Sequence, residues 1–505
     1  MKILSAEQIR ACDAYTIQNE PVSSVSLMER AAGACFKRIA KLVDPHRKVV
    51  VFCGKGNNGG DGLAIARMLL QSNYDVSVLI INHSDKFSDD ALANDERLKK
   101  SSPAIISEIS DESALEQFSG FENPVAIDAI LGTGINKPLS GLLADTVNYI
   151  NKHFKDIISI DAPSGLLIDG GRTENAVRSS LTLTFQLPKL AFLFPGNEKF
   201  VPEFEILDIG LSRQSIDSQH SGFFYVTAGD VSALLKPRPR FSHKGTFGHA
   251  LLLAGSSGKS GAAILCAGAC LRSGAGLLTV HAVEETISAL LNVYPEAMSS
   301  ADPEKKFITE VHRPENYSAI AFGPGTGVHE TTQQVLKKLL QYYTGKLVID
   351  ADGLNIISEN KTWLDFLPAG TILTPHPKEF ERLTQKFNDD DERLKALKHF
   401  SQRYNCIVIL KGAFSSIAMP DGNVFFNSSG NPGLAKGGTG DTLTGILLGL
   451  LARGYSAPQA SIIGTFVHGY AADLLLKKNS VESILASDVI SQLPRAFKKL
   501  ESLSS

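Results

Sequence analysis

Short hydrophobic runs alternate with amphipathic stretches along most of the chain. The first two amphipathic stretches predict helices, and each opens with a capping-box pattern, Ser5 with Gln8 and Ser26 with Glu29. Beyond them, apolar runs predict strands at 48–53, 76–81, 125–130 and 157–160. Because these strands alternate with helices, we expect a parallel sheet covered by helices on both faces.

A second region of the same kind follows a polar, aperiodic stretch at 212–222, which we predict to be a linker. Further strands are predicted at 250–253, 319–322, 347–349, 371–373 and 407–410. A chain of 505 residues is also too long for one hydrophobic core. The pattern therefore predicts two α/β domains, at 1–211 and 223–505.

Composition narrows the class of protein without identifying it. The net charge of -3 gives no basic footprint for nucleic acid. The six cysteines form no CxxC pair, so we expect neither a disulfide framework nor a zinc site. Charged residues in the first helix argue against a secretory signal, and no apolar run is long enough to span a bilayer. We expect a cytoplasmic protein.

A glycine-rich loop at 54–62 follows the first predicted strand, and its start fits the G-x-G-x-x-G pattern. Such glycines let backbone amides approach a pyrophosphate at a helix N-terminus. A redox Rossmann domain also needs an acid at the end of the second strand, where Ile81 and Asn82 stand instead. The loop therefore predicts dinucleotide binding without an ordinary NAD redox role.

Polar side chains gather in three loops of the first domain, and all three follow predicted strands. Ligands of open parallel sheets bind beyond the carboxyl ends of the strands, so the loops should form one site. Oxygen-bearing groups in this set could coordinate a hard cation. The alternative is that each residue only caps its own loop, which is the usual role of such side chains. The residues are Asn57, Asn58, Asp61, Asp128, Asp161 and Ser164.

These loops, at 56–62, 128–134 and 159–165, together with the segments 182–189 and 208–210, resemble the NAD(P)H-hydrate epimerase family. The resemblance covers the first domain and implies a Rossmann-like three-layer fold. It implies a potassium ion near Asn58, Asp128 and Ser164. Asp161 is our candidate for acid–base catalysis, because it is the ionisable group beside the substrate loop that is not assigned to the cation. The implied substrate contacts are Asn57, Asn58, Gly59, Gly60, Asp61, Gly132, Thr133, Gly134, Ile135, Asn136, Lys137, Pro138 and Asp161.

In the second domain, the segment 255–260 looks like a P-loop, but its spacing is too short and Leu253 replaces the first glycine. Residues 437–441 are more informative, because they precede an apolar helix at 442–451. Glycine amides at this helix start could hold a phosphoryl group, and Asp441 could accept a proton from a hydroxyl nucleophile. The alternative is an ordinary helix cap with an acid in the first turn.

This arrangement resembles the ribokinase-like superfamily, and within it the NAD(P)H-hydrate dehydratases. The matching segments are 243–248, 272–276, 323–325, 350–355, 374–379, 410–412 and 434–441. The resemblance implies a three-layer α/β fold, with Asp441 as the catalytic base. The implied hydrate-binding residues are Ala262, Gly325, His376 and Asp441. The implied nucleotide-binding residues are Lys411, Gly412, Ala413, Phe414, Ser415 and Gly440.

Together the two resemblances imply repair of hydrated NADH and NADPH. The first domain would interconvert the R and S hydrates. The second would phosphorylate the S hydrate with ADP or ATP and Mg²⁺, and then release phosphate to restore the dinucleotide. The expected partners are these small molecules and further copies of the chain, with no nucleic acid or membrane. Two alternatives remain: a vitamin kinase of the ribokinase-like class, and a first domain that only binds or scaffolds.

Overall fold

The computed structural model describes residues 1–135 and 137–503 and divides the chain into two compact units. The first unit consists of Lys2–Ser221 with Asp389–Asp391. The second consists of Met1, Gly222–Asn388 and Glu392–Ser505. Asn136, one of the expected substrate contacts, lies outside the described residues.

A seven-stranded parallel sheet forms the centre of the first unit, in the order β3-β2-β1-β4-β5-β6-β7. The strand order reverses between β1 and β4, where open α/β sheets place their ligand crevice. The strands are β1 (Val49–Cys53), β2 (Val76–Ile81), β3 (Ile106–Ile109), β4 (Val125–Ala129), β5 (Asp156–Ile160), β6 (Leu181–Phe185) and β7 (Phe204–Leu207).

Helices cover both faces of this sheet, which explains why its central strands are apolar at every position. Val49 and Val51 pack with Cys35 of α2 on one face, while Val50 and Phe52 pack with Ile150 of α5 on the other. The helices are α1 (Ala6–Asn19), α2 (Ser24–Leu42), α3 (Asn57–Gln71), α4 (Asp89–Ser101), α5 (Leu142–His153) and α6 (Arg213–Ser218).

The first helices test the two predicted capping boxes. The box of Ser5 and Gln8 is confirmed, because each side chain bonds the backbone of the other. The box at Ser26 is wrong: α2 begins two residues earlier, and Ser23 is the residue whose side chain accepts from the Ser26 amide. Ser23 and Ser26 are three residues apart, and the sequence pattern alone did not distinguish which of them is the N-cap.

The stretch 212–222, which was predicted as a linker, contains helix α6. Ile216 of this helix packs against a cluster that includes Leu4 and Leu27, and the Ser212 amide donates to Thr16 Oγ1. The two units divide between Ser221 and Gly222. Residues up to Ser221 therefore contribute to the packing of the first unit.

A ten-stranded sheet forms the second unit, in the order β11-β10-β9-β12-β13-β14-β15-β16-β17-β8. Its neighbouring strands are parallel except at the pairs β15–β16 and β16–β17. The strands are β8 (Phe223–Val226), β9 (His249–Leu253), β10 (Leu277–Ala282), β11 (Met298–Ala301), β12 (Ala319–Phe322), β13 (Lys346–Ile349), β14 (Ile372–Leu373), β15 (Ile407–Leu410), β16 (Ser416–Ala418) and β17 (Val424–Asn427).

Helices lie on both faces of this sheet as well. On one face, α8 and α14 pack so closely that a Cβ on Gly445 would lie 2.1 Å from the Cys266 carbonyl oxygen. On the other, Gly353 of α11 lies against Phe322. The helices are α7 (Ala228–Leu234), α8 (Ser260–Arg272), α9 (Glu284–Val293), α10 (Glu330–Tyr342), α11 (Asp352–Glu359), α12 (Pro377–Leu383), α13 (Asp390–Arg403), α14 (Thr439–Ala452), α15 (Ala457–Leu475) and α16 (Ala486–Glu501).

The predicted class, two successive three-layer α/β domains, is confirmed. All six cysteines are buried and free. Within residues 1–135 and 137–503, no helix is long and apolar enough to cross a membrane.

Candidate active sites

A cavity of about 580 Å³ opens in the first unit at the carboxyl ends of β1, β4 and β5. It lies where the strand order reverses, as the position of the three predicted loops requires. The loops do converge there. The predicted residues that line the cavity are Asn57, Asn58, Asp61, Gly132, Thr133, Gly134, Ile135, Lys137, Pro138 and Asp161.

The glycines of the first loop serve close packing. A Cβ on Gly59 would lie 1.8 Å from the Gly54 carbonyl oxygen, and one on Gly60 would lie 2.7 Å from Met28 Sδ. Neither glycine lines the cavity, although both were expected as substrate contacts. Their place in the motif follows from the tight turn into α3, which directs Asn57, Asn58 and Asp61 to the cavity lining.

The expected cation ligands lie at the start of α3 (Asn58), near the end of β4 (Asp128) and in the loop after β5 (Ser164). Both side-chain polar atoms of Asn58 are buried without a hydrogen-bond partner. Asp128 is fully buried and accepts hydrogen bonds from the Ser164 amide and the Ser159 hydroxyl, each at 2.8 Å. Burial raises the pKa of Asp128, while these hydrogen bonds oppose the rise. Of these three residues, Asn58 is therefore the one whose side-chain polar atoms are unused. Asp128 holds the Ser164 loop in place through hydrogen bonds.

Asp161 sits at the cavity wall in the left-handed backbone region, with a φ of +63°. The Lys189 ammonium lies 3.1 Å from Asp161 Oδ1 and donates to the Phe185 and Leu187 carbonyls, also at 3.1 Å. Lys189 is 0% exposed. Because its three protons have these three acceptors, it holds the Asp161 carboxyl group in one place.

Arg10 and Asp13 of α1 also line this cavity, and the sequence analysis missed both. Burial raises the pKa of Asp13 to about 7, and the charge of Asp161 adds to the rise, while Lys189 opposes it. The pKa of Asp61 is also well above its usual value, first because of burial. The available signal was the i, i+3 spacing of Arg10 and Asp13, which places both on one helix face.

In the second unit, Asp441 lies in the first turn of α14, after the left-handed Gly438. Burial raises its pKa to about 6; the charge of Asp350 adds to the rise, and Lys411 opposes it. A carboxylate with such a pKa is ionised near neutrality and still basic enough to take a proton. The amides of the first turn of a helix have no acceptor in the helix itself, so they are available to an anion.

An ion pair that was not predicted from the sequence lies beside Asp441, formed by the buried Asp350 and the partly exposed Lys411. Lys411 Nζ is 3.0 Å from Asp350 Oδ1 and 3.9 Å from Glu379 Oε2. The Thr444 hydroxyl of α14 donates to Asp350 Oδ2 at 2.7 Å. A Cβ on Gly440 would lie 3.5 Å from Lys411 Nζ, so this ammonium borders the start of α14.

The expected hydrate-binding residues fall into two places. The Ala262 Cβ lies 3.1 Å from where a Gly325 Cβ would stand, so these residues share one small surface. Ser256 ties the P-loop-like segment to it by donating its amide and hydroxyl to the Gly325 carbonyl. That use of the Ser256 amide agrees with the prediction that the segment is not a P-loop.

His376 caps the N-terminus of α12 and forms a capping box with Glu379. Its Nδ1 accepts from the Glu379 amide at 3.3 Å, and burial lowers its pKa. The predicted nucleotide segment 411–415 forms the turn between β15 and β16, where Gly412 and Ala413 are exposed. The Ser415 hydroxyl closes this turn on Gly412.

Comparisons with known proteins agree on both halves of the chain. A family model described as NAD(P)H-hydrate dehydratase matches residues 250–495, and one described as YjeF-related protein N-terminus matches residues 24–191. The bifunctional NAD(P)H-hydrate repair enzyme of Moorella thermoacetica is 32% identical over 521 residues, which cover 99% of this chain and 97% of the relative. That of Escherichia coli is 31% identical, over 93% of this chain and 88% of the relative.

A solved structure, the ADP/ATP-dependent NAD(P)H-hydrate dehydratase from Bacillus subtilis co-crystallised with ATP and Mg²⁺, is 34% identical. The match covers 55% of this chain and 99% of that one, with a TM-score of 0.48. The family rests on the full-length relatives, which bear the name of a repair enzyme and not of a vitamin kinase. The chain belongs to the family of bifunctional NAD(P)H-hydrate repair enzymes.

Proposed function

We propose that the first unit epimerises hydrated NADH and NADPH, and that the second unit dehydrates the S hydrate at the expense of ADP or ATP. The observation that carries the second activity is the position of Asp441, with its raised pKa, at the start of α14 beside Lys411. A base, free helix amides and an ammonium are the three groups that phosphoryl transfer to a hydroxyl needs.

In the dehydratase site, Asp441 removes the proton of the ring hydroxyl. At the same time the hydroxyl oxygen attacks the terminal phosphoryl group of the nucleotide. The amides before and within the first turn of α14, including that of Gly440, stabilise the charge on the moving phosphoryl group. Phosphate then leaves, driven by the lone pair of the ring nitrogen. Loss of a proton from the neighbouring carbon restores the double bond of the dihydronicotinamide.

Asp350 and Lys411 prepare this site without taking part in proton transfer. Because Thr444 and Lys411 both bond Asp350, the ion pair fixes the ammonium next to Gly440. Ala262, Gly325 and His376 would contact the hydrate, and Lys411, Gly412, Ala413, Phe414, Ser415 and Gly440 the nucleotide. The described residues contain no group of three or more His, Cys, Asp or Glu side chains arranged for a metal. Mg²⁺ would therefore enter with the nucleotide, whose phosphates supply most of its ligands.

In the epimerase site, Asp161 acts as the base, and the Lys189 ammonium holds it in place. Substrate would contact Asn57, Asn58 and Asp61, and with them residues 132–135, Lys137 and Pro138, all of which line the cavity. These are the predicted contacts that the cavity brings together. Gly59 and Gly60 serve this site indirectly, through the turn that they permit.

A potassium ion fits the pocket floor of the first unit. The buried Asn58 amide oxygen has no donor in the described structure, and it lies 3.5 Å from where a Gly132 Cβ would stand. A large monovalent cation bound by oxygens would satisfy it, with Ser164 as a second donor and Asp128 supplying the charge. When bound, the ion would lend positive charge to the substrate pocket and order its loops.

The decisive experiment supplies each purified hydrate epimer to the full chain, with and without ADP or ATP. Without nucleotide, we expect the two epimers to interconvert with no gain of dihydronicotinamide absorbance. With nucleotide, we expect both to be consumed with recovery of that absorbance. Release of a stable phosphorylated hydrate would instead identify a kinase, and failure of the R epimer to convert would leave the first unit a binding module.

A further inference from the structure

One face of α1 forms part of the epimerase cavity. Arg10 and Asp13 are three residues apart and both line it. The opposite face is anchored, because Cys12 is fully buried in a cluster with Leu27 and Leu187. Thr16 Oγ1 accepts from the Ser212 amide, which ties the end of the helix as well. The position of Asp13 at the cavity wall is therefore set by packing.

Asp13 and Asp161 are two carboxyl groups in one cavity with opposite surroundings. Asp161 has the Lys189 ammonium at 3.1 Å and the Phe185 amide at 3.3 Å. Within the described structure, no group donates a hydrogen bond to the Asp13 carboxyl group. Lys189 cannot serve both carboxyl groups, because its three protons point to Asp161 and to two carbonyls. Asp161 is therefore surrounded by hydrogen-bond donors, whereas burial raises the pKa of Asp13 to about 7.

We propose that Asp13 is the second catalytic carboxyl group of the epimerase, and that it donates a proton while Asp161 accepts one. The inference rests on the assignment of this cavity to epimerisation. Two carboxyl groups whose surroundings separate their protonation states are a recurring arrangement for acid and base catalysis. Asp13 lies outside the match to the N-terminal family model, because that match begins at residue 24 and α1 precedes it.

The chemistry requires both groups. Hydration of an enamine places the hydroxyl on the carbon bonded to the ring nitrogen. Asp13 protonates that hydroxyl, the C–O bond breaks, and water leaves as the nitrogen lone pair forms an iminium bond. A water molecule then attacks the opposite face, and Asp161 takes its proton. The ring regains its hydroxyl with inverted configuration, and proton exchange with solvent returns both carboxyl groups to their starting states.

Asp61 is the rival donor, because it lines the same cavity and its pKa is also raised. A general acid works best when its pKa is near the working pH. Burial raises the pKa of Asp13 to about 7 and raises that of Asp61 as well, so variants of both residues are needed to separate them. The other charged lining groups, Arg10 and Lys137, are cations suited to the phosphates of a dinucleotide.

The test compares Asp13→Asn, Asp13→Glu, Asp61→Asn and Asp161→Asn in the full chain, with purified epimers and no nucleotide. For Asp13→Asn we expect kcat for epimerisation to fall about 100-fold or more, with little change in KM. Asp13→Glu should recover part of the rate, because it restores an acid. Glu7→Gln, on the exposed side of the same helix, is the matched control and should behave like the parent.

The pH profile separates a proton donor from a structural residue. The donor must be protonated, so kcat/KM of the parent should fall as the pH rises through about 7. Asp13→Asn should lack this fall, and Asp61→Asn should keep it. Parental kcat in Asp13→Asn, or a retained fall, would overturn the inference; so would a loss confined to KM. If Asp161→Asn is fully active, the assignment of the cavity itself is wrong.

Discussion

Each of the two candidate sites contains carboxyl groups beside the sheet of its own unit. The groups that surround these carboxyl groups differ between the two sites. Asp441 stands at a helix start and shares its surroundings with Lys411 and a second carboxylate, Asp350. The epimerase cavity instead gathers Asp13, Asp61 and Asp161, while its buried ammonium, Lys189, is engaged by Asp161 and two carbonyls. Phosphoryl transfer needs positive charge and free amides, whereas inversion at a ring carbon needs protons moved between two positions.

The difference also shows in how each acid is held. Asp441 is placed by the regular first turn of α14, which any good helix start would supply. Asp161 requires a left-handed backbone, which an Asp adopts at a cost, and a buried lysine to hold it. The site of the first unit therefore depends on the network around Asp161, and the site of the second unit depends on the placement of α14.

The largest effect is expected for Asp441→Asn. Among the described residues, the Asp441 side chain makes no capping hydrogen bond, so Asn should leave the helix start intact. Asn cannot accept the hydroxyl proton, so dehydration should fall about 100-fold or more. Asp441 must be ionised, so kcat/KM of the parent should fall as the pH drops through about 6, and this limb should vanish in the variant. Steady-state dehydration with nucleotide measures both. Epimerisation should be unchanged in the variant, and Asp421→Asn, in an exposed turn, should leave dehydration unchanged.

Lys189→Met should break the network of the first site. It removes the ammonium that bonds the Asp161 carboxylate and two carbonyls, so the first unit should lose about 3 kcal/mol or more of stability. We expect epimerisation to fall with it, and the unfolding transition of the first unit to come at a lower temperature by calorimetry.

Lys199→Met is the control for Lys189→Met, because its ammonium lies over the Phe200 ring and does not line the cavity. An epimerase with parental rate and stability after Lys189→Met would remove Lys189 from the site. Dehydration should continue in either variant at temperatures where the second unit is folded.

Asn58→Leu should act on the cation and not on proton transfer. Leucine fills the space of the amide but offers no oxygen. Because a ligand is lost, the potassium concentration needed for half-maximal epimerisation should rise about tenfold or more. Rate against potassium concentration, with sodium held in balance, measures it. An unchanged potassium response in Asn58→Leu would refute the cation site, and Asn73→Leu, at a distant exposed turn, should respond like the parent.

The smallest effect concerns where the first unit ends. A fragment of residues 1–221 keeps α6 and the contacts of Ile216, which a fragment of residues 1–211 loses. Burial of one such side chain is worth about 1.5–3 kcal/mol, so the shorter fragment should melt several degrees lower. Both fragments should epimerise without nucleotide at low temperature. Equal melting temperatures would restore 212–222 as a simple linker.

The sequence was sufficient where the chemistry lies in local motifs. The strands β1, β4 and β5 were found because central parallel strands are mostly apolar, and the loops that follow them converge as predicted. Half-exposed strands such as β3 and β11 escaped, because their apolar pattern is broken. β10 is buried and apolar, so its pattern was within reach of the same reasoning.

The missed site residues act across long sequence distances. Asp13 and Lys189 belong to the epimerase cavity only because α1 and the segment after β6 pack beside the loops, and no local pattern announces this. The same holds for Thr444 of α14 and Asp350, which follows β13 and lies 94 residues earlier in the chain. Gly59 and Gly60 show the converse error. Their motif positions were interpreted as substrate contacts, whereas glycine is needed there because neighbouring atoms leave no room for a Cβ.

The ion pair of Asp161 and Lys189 has a consequence for synthesis on the ribosome. Translation delivers Asp13 first, then Asp161, and Lys189 only near the end of the first unit. Until Lys189 has left the exit tunnel, the nascent chain holds acids without the buried ammonium, and its last strand, β7, is also missing. The epimerase site should therefore close late, after most of the sheet has formed. Pausing before residue 189 would leave a nearly complete domain that is still inactive.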